Sequence, residues 1–140
     1  MKPILTKSDY NTIHALLKNL PIHLRGKEVA QLQNEINSAE VRDDFQISED
    51  IIQLNSQFEV VETLSGQKMN YQLVLPHFAN LKQNKISILS PLGVALIGFQ
   101  QGMTIEWQLP GGLKKLHINW VKNDREAKSI SGKSTEIKLI

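Results

Sequence analysis

The hydrophobic pattern of this chain changes period once, between residues 40 and 50, and that change limits the folds open to it. Up to residue 40 apolar side chains recur every three or four positions, the spacing of one helix face. Beyond residue 50 they fall into short alternating or continuous runs separated by turn residues, the mark of strands. An α+β architecture follows, with a short antiparallel helical hairpin preceding a β-rich domain.

In the first part, Tyr10, Ile13, Leu16, Leu17 and Leu20 form one stripe, with Ser8 placed to cap the helix and Asp9 at the positive end of its dipole. Pro21 closes this helix, and the bend "PIHLRG" leads to a second one over residues 27–40, striped by Val29, Leu32, Ile36 and Ala39. The two stripes are expected to zip together along one seam. The polar, acidic stretch "SAEVRDDFQISED" has neither period and reads as a connection, which divides the chain into a hairpin at 1–46, a β domain at 47–122 and a charged tail at 123–140.

The β domain is expected to hold five or six short strands around one short helix. Residues 50–63, 69–76, 84–90, 103–109 and 113–121 supply the strands, with turns at Ser65–Gln67 and Pro110–Gly112. Between them lies "SPLGVALIGFQQGMTIEWQLPGG", residues 90–112, which concentrates five of the eight glycines and two of the five prolines. Ser90 suits an N-cap and Pro91 the first helical position, Leu92–Ile97 the helix itself, and Gly98 its C-terminal cap. Trp107 and Trp120 sit in strands and are expected in the core.

Composition narrows the chemistry. With 41% hydrophobic and 21% charged residues the chain has the makings of a folded core. Lys and Arg number 16 against 14 Asp and Glu, and the excess falls in the last 19 residues rather than on the body, which argues against a duplex-binding face. There is no cysteine, so disulfides, thiolate metal sites and a thiol nucleophile are excluded. No run resembles a signal peptide or a membrane span, and the expected location is the cytoplasm.

The individual motifs read as structure. "AKSISGKS" at 127–134 fits a relaxed phosphate-loop pattern but lacks the preceding strand and following helix that such a loop requires. His14, His23, His77 and His117 are dispersed without metal-ligand spacing, and Asp43 with Asp44 reads as loop charge rather than a cation site. Ser90 has no nucleophile-elbow surroundings, and the glycines at 93, 98 and 102 do not form a dinucleotide fingerprint. The expectation is a protein without catalytic residues, cofactor or metal, whose function lies in a surface.

Residues 86–112 resemble the C-terminal domain of the Gre transcript-cleavage factors (GreA and GreB), and more closely the Rnk-type regulators of nucleoside diphosphate kinase. Ser90-Pro91, Ala95-Leu96, Gly98, Gly102 and Pro110-Gly111-Gly112 carry the resemblance. It implies an FKBP-like antiparallel β-sheet domain that binds bacterial RNA polymerase at the rim of its secondary channel. Docking would fall on Ser90, Pro91, Leu92 and Ala95, with the hairpin pointing into the channel. Gre factors carry acidic residues at the tip of a long coiled coil, where they help the polymerase hold Mg²⁺. The tip here, "NLPIHLRGKE", has no acidic residue before Glu28. The implied protein is therefore a short-fingered, non-catalytic regulator, monomeric or weakly dimeric, that does not read nucleic-acid sequence. A prolyl isomerase on the same fold, or a homotypic module using the hairpin seam, would be the alternatives.

Overall fold

The computed structural model describes residues 2–123; the phosphate-loop-like segment 127–134 and the tail from 124 onward lie outside the described residues. The hairpin consists of helix α1 (Lys7–Lys18), a 3₁₀ turn at Ile22–Leu24, and helix α2 (Lys27–Ser38). Its base is closed by two three-residue strands, β1 (Ile4–Thr6) and β2 (Glu40–Arg42), which pair in parallel with Leu5 opposite Val41. Neither strand has the alternation that marks a strand in sequence, and β2 occupies the start of the expected connection.

The cap of α1 is Thr6, not Ser8: its side chain accepts a hydrogen bond from the Asp9 N–H at 3.0 Å. Ser8 lies inside the first turn, where its N–H donates to Asp44 at 3.1 Å and its hydroxyl donates to the same carboxylate. Asp43 pairs with Lys7 at 2.8 Å, and this neighbour raises the Lys7 pKa above the ordinary lysine value. The two adjacent aspartates thus fasten the residue 43–44 loop to the positive end of a helix.

The second part is a five-stranded sheet in the order β5-β4-β3-β7-β6. Its strands are β3 (Gln57–Glu62), β4 (Lys68–Val74), β5 (Lys85–Ser87), β6 (Thr104–Leu109) and β7 (Gly112–Lys122). Helix α3 (Pro91–Leu96) connects β5 to β6. Three pairings are antiparallel, as expected, but β5 runs parallel to β4, so the sheet is mixed. The chain reaches β5 through two 3₁₀ turns, Pro76–Phe78 and Leu81–Gln83, which carry it across instead of reversing it in a hairpin.

The helical stripes do more than zip to each other. Ile13, Leu17, Val29, Leu32 and Ile36 belong to the same buried cluster as Phe58, Val60, Leu73, Ile88, Leu96, Leu116 and Ile118. Each such aliphatic side chain removed from water contributes roughly 1.5–3 kcal/mol before the entropy of ordering is counted. Polar ties reinforce the junction. The buried Asp9 carboxylate accepts from the Leu54 N–H at 3.0 Å, and Gly98 both donates to the Ile52 carbonyl and accepts from the Ile4 N–H, each at 2.9 Å.

Gly98 has φ +84°, and a side chain there would run into Pro3 and approach the Ile4 nitrogen to 2.8 Å. Three segments meet at this one residue: the end of α3, strand β1 and the loop at 51–52. Only glycine satisfies both the left-handed backbone and the close approach. No helix among the described residues is long and apolar enough to cross a membrane.

Candidate docking corner at the start of helix α3

Strand β5 ends at Ser87, and the chain turns sharply into α3. The Ser87 hydroxyl accepts from the Leu89 N–H at 2.9 Å, while the Ser87 carbonyl receives the Ser90 N–H at 2.9 Å and the Ser90 hydroxyl at 2.7 Å. The Ser90 oxygen in turn accepts from the Gly93 N–H at 3.1 Å, which makes it the N-cap expected from sequence. Pro91 follows at the first helical position, where its missing N–H costs nothing.

Below the corner there is no slack. A Cβ at Gly93 would collide with the Ser87 carbonyl and lie 3.1 Å from Leu73, so β5 and α3 touch through this glycine. Val94, Ala95 and Leu96 are each 0% exposed. Of the four residues singled out for docking, Ser90, Pro91 and Leu92 are half-buried and adjoin one another on the surface. Ala95 faces the core, and its part is to fix the helix from beneath.

Beside Pro91 opens a recess of about 310 Å³ lined by Lys27, Glu28 and Gln31 from the start of α2 and by Gln108, Leu109 and Pro110 from the end of β6. Sequence reasoning missed the α2 side of this wall, because those residues lie some 60 positions away from Pro91 and look like an ordinary solvated first turn. Pro110 belonged to the resemblance only as a turn. Glu28, the first carboxylate after the tip, belongs to this recess and not to the tip itself.

At the far end of the hairpin, Ile22 is 86% and Leu24 54% exposed. The turn is closed by Arg25, whose guanidinium donates to the carbonyls of Leu17 at 2.7 Å, Leu20 at 3.1 Å and Lys18 at 3.3 Å. Arg25 thereby caps the C-terminal end of α1. The histidines stay apart: His14 stacks on Tyr10, His77 lies against Phe78, and His117 hydrogen-bonds Thr104 at 2.8 Å. No group of three or more potential metal ligands occurs among the described residues.

Comparison with known proteins agrees with this geometry. Residues 47–123 match the family described as "Transcription elongation factor, GreA/GreB, C-term". The chain is 33% identical over 108 residues to transcription elongation factor GreA of Syntrophus aciditrophicus, covering 77% of this chain and 66% of that one. It is 35% identical over 94 residues to GreA of Rhodospirillum rubrum, covering 67% and 60%. The chain thus spans less than two thirds of the length of these relatives. The solved structure of a prokaryotic transcription elongation factor GreA/GreB from Nitrosomonas europaea superposes with a TM-score of 0.71 at 31% identity, over 88% of this chain and 99% of that one. With residues 47–123 matched by the family and a solved relative superposing over 88% of its length, the chain belongs to the GreA/GreB family.

Proposed function

We propose that this protein is a non-catalytic regulator that binds bacterial RNA polymerase in the cytoplasm, at the rim of the secondary channel, in the manner of the Rnk-type branch. It docks through Ser90, Pro91 and Leu92, with Ala95 holding the helix from below. The recess beside Pro91 receives a side chain of the polymerase, and the hairpin points into the channel.

The observation that carries this reading is the pairing of a firmly braced, half-exposed corner with a tip whose exposed residues, Pro21 to Lys27, include no carboxylate. A corner braced by the hydrogen bonds of Ser87 and Ser90 presents its surface with little ordering cost on binding. A tip without carboxylates has nothing with which to hold a hard divalent cation, so the protein occupies the channel without supplying transcript-cleavage chemistry.

Two further features favour docking over the alternatives. An isomerase needs a concave aromatic wall, whereas Phe45 and Phe78 are exposed on separate loops and Phe58 and Phe99 lie in the core. A homotypic module would need the hairpin seam, and Leu32 at its centre is 0% exposed within the chain's own core.

The test is co-purification with core RNA polymerase followed by a cleavage assay on paused complexes. The wild-type chain is expected to bind and to leave the transcript uncut, and Leu92→Asp to bind at least about tenfold more weakly, since a buried unpaired carboxylate costs several kcal/mol. Unchanged binding by Leu92→Asp moves the interface elsewhere, and stimulated cleavage refutes the non-catalytic assignment.

A further inference from the structure

The outward face of the sheet carries a second feature, independent of the docking corner. Along β7, alternation from the buried Ile118 puts Trp120 in the core. The register with β3 shifts between Glu59 and Val60: Val60 faces Ile118, but Glu59 faces Trp120, so β7 holds one extra residue, Asn119, in a β-bulge. The bulge reverses the alternation, and Val121 turns inward opposite Phe58 while Trp120 turns outward, 38% exposed. Asn119 secures the irregularity by donating to Glu59 at 2.9 Å. A bulge that expels a tryptophan from a core position gives up apolar burial, so the exposed indole calls for a use.

Trp120 borders a shallow recess of about 180 Å³ whose polar wall is made of carboxamides: Gln57, Asn70, Gln72, Gln83 and Asn84. Gln72 spends one N–H on the Asn55 carbonyl at 3.1 Å. The side-chain amides of Gln57, Asn70, Gln83 and Asn84 make no hydrogen bond among the described residues, so each offers both a donor and an acceptor. The cations stand at the rim: Lys122 is paired across the sheet with Gln57, Lys85 with Gln72, and Lys82 precedes Gln83. None of these three lysines forms an ion pair among the described residues.

We propose that this face binds single-stranded nucleic acid, with one unstacked base on the Trp120 indole, the carboxamides on its edge, and the rim lysines on the flanking phosphates. Aromatic stacking with a cationic track is how single strands are held without sequence preference, and carboxamides match the mixed donors and acceptors of a base edge. Whole small-molecule sites begin at roughly 300 Å³, so this recess accepts one planar ring and leaves the remainder of the ligand outside, as a strand would. A neutral sugar would also stack on an indole, but it has no use for the lysines. The face has no basic stripe long enough to follow a duplex, in keeping with the even charge of the chain's body.

Fluorescence anisotropy of the full chain with labelled ten-residue oligouridine and oligoadenosine, against a duplex of equal length, tests this without polymerase, so its failure leaves the docking corner standing. Both single strands should bind and the duplex should not. Trp120→Ala should weaken binding about tenfold or more, while Trp120→Phe keeps it within about threefold. Lys122→Ala should lower the slope of log affinity against log salt by about 0.7. Equal binding of the duplex, an unchanged Trp120→Ala affinity, or competition by UMP and AMP as effective per base as the strands would overturn the proposal.

Discussion

The α3 corner and the hairpin tip, the two ends through which the proposed docking would act, are built on opposite plans. At the corner, side-chain and backbone groups are committed: Ser90 closes a double hydrogen bond on Ser87, Gly93 has no room for a methyl group, and the helix beneath is sealed. At the tip the Arg25 guanidinium holds the carbonyls that end α1, while Ile22 and Leu24 project into water. Precision and exchangeability are thereby separated. A substitution at the corner must pass through the core, whereas one at the tip alters what is delivered and leaves the fold alone. Relatives of one fold can then hold a common docking site and vary the chemistry of the finger.

The largest test of that separation is Gly98→Ala. A left-handed backbone costs an alanine roughly 1–2 kcal/mol, and forcing a methyl group against Pro3 and the Ile4 nitrogen adds about 1–3 kcal/mol. A loss near 4 kcal/mol is expected in denaturant unfolding, with the hairpin and the sheet still melting together because they share one core. If the hairpin instead melts first and the sheet keeps its midpoint, Gly98 fastens an appendage and the shared core is weaker than its burial suggests. Ser90→Ala is the intermediate case: loss of the cap should cost about 1 kcal/mol, and polymerase binding should fall with it, because the corner loosens where the surface is presented.

How much of this was legible in the sequence follows from where each signal is stored. Ser90, Pro91 and Gly98 announce themselves because caps and left-handed turns depend on single residue types at fixed offsets. The α1 and α2 stripes are equally local, although Thr6 and not Ser8 caps α1, a choice made by Asp44 claiming the Ser8 hydroxyl from 36 residues away. Strands β1 and β2 stayed hidden because three residues cannot display a period. The parallel direction of β5 depends on two 3₁₀ turns that leave only a loose polar run in sequence. The recess beside Pro91 joins segments remote along the chain, and no local pattern encodes it. Trp107 and Trp120 were indistinguishable by alternation. The first lies half-buried against the core, whereas the bulge at Asn119 turns the second outward, and a bulge is a property of two strands in register rather than of one.

The smallest expected effect falls at the tip, and it sharpens the comparison most. Ile22 is 86% exposed and belongs to a three-residue turn with no buried member, so Ile22→Ser removes almost no burial. Its stability cost should stay within about 0.5 kcal/mol, the range of ordinary surface changes. The same variant should retain its affinity for core polymerase if the corner supplies the docking energy, and yet change the outcome of competition with channel-entering factors if the tip meets the channel wall. A stability loss above about 1 kcal/mol would mean that the tip is packed in solution against another part of the protein or a second copy. Unchanged stability with a large loss of polymerase affinity would move the binding energy from the corner to the finger, and the division of labour between the two ends would have to be reversed.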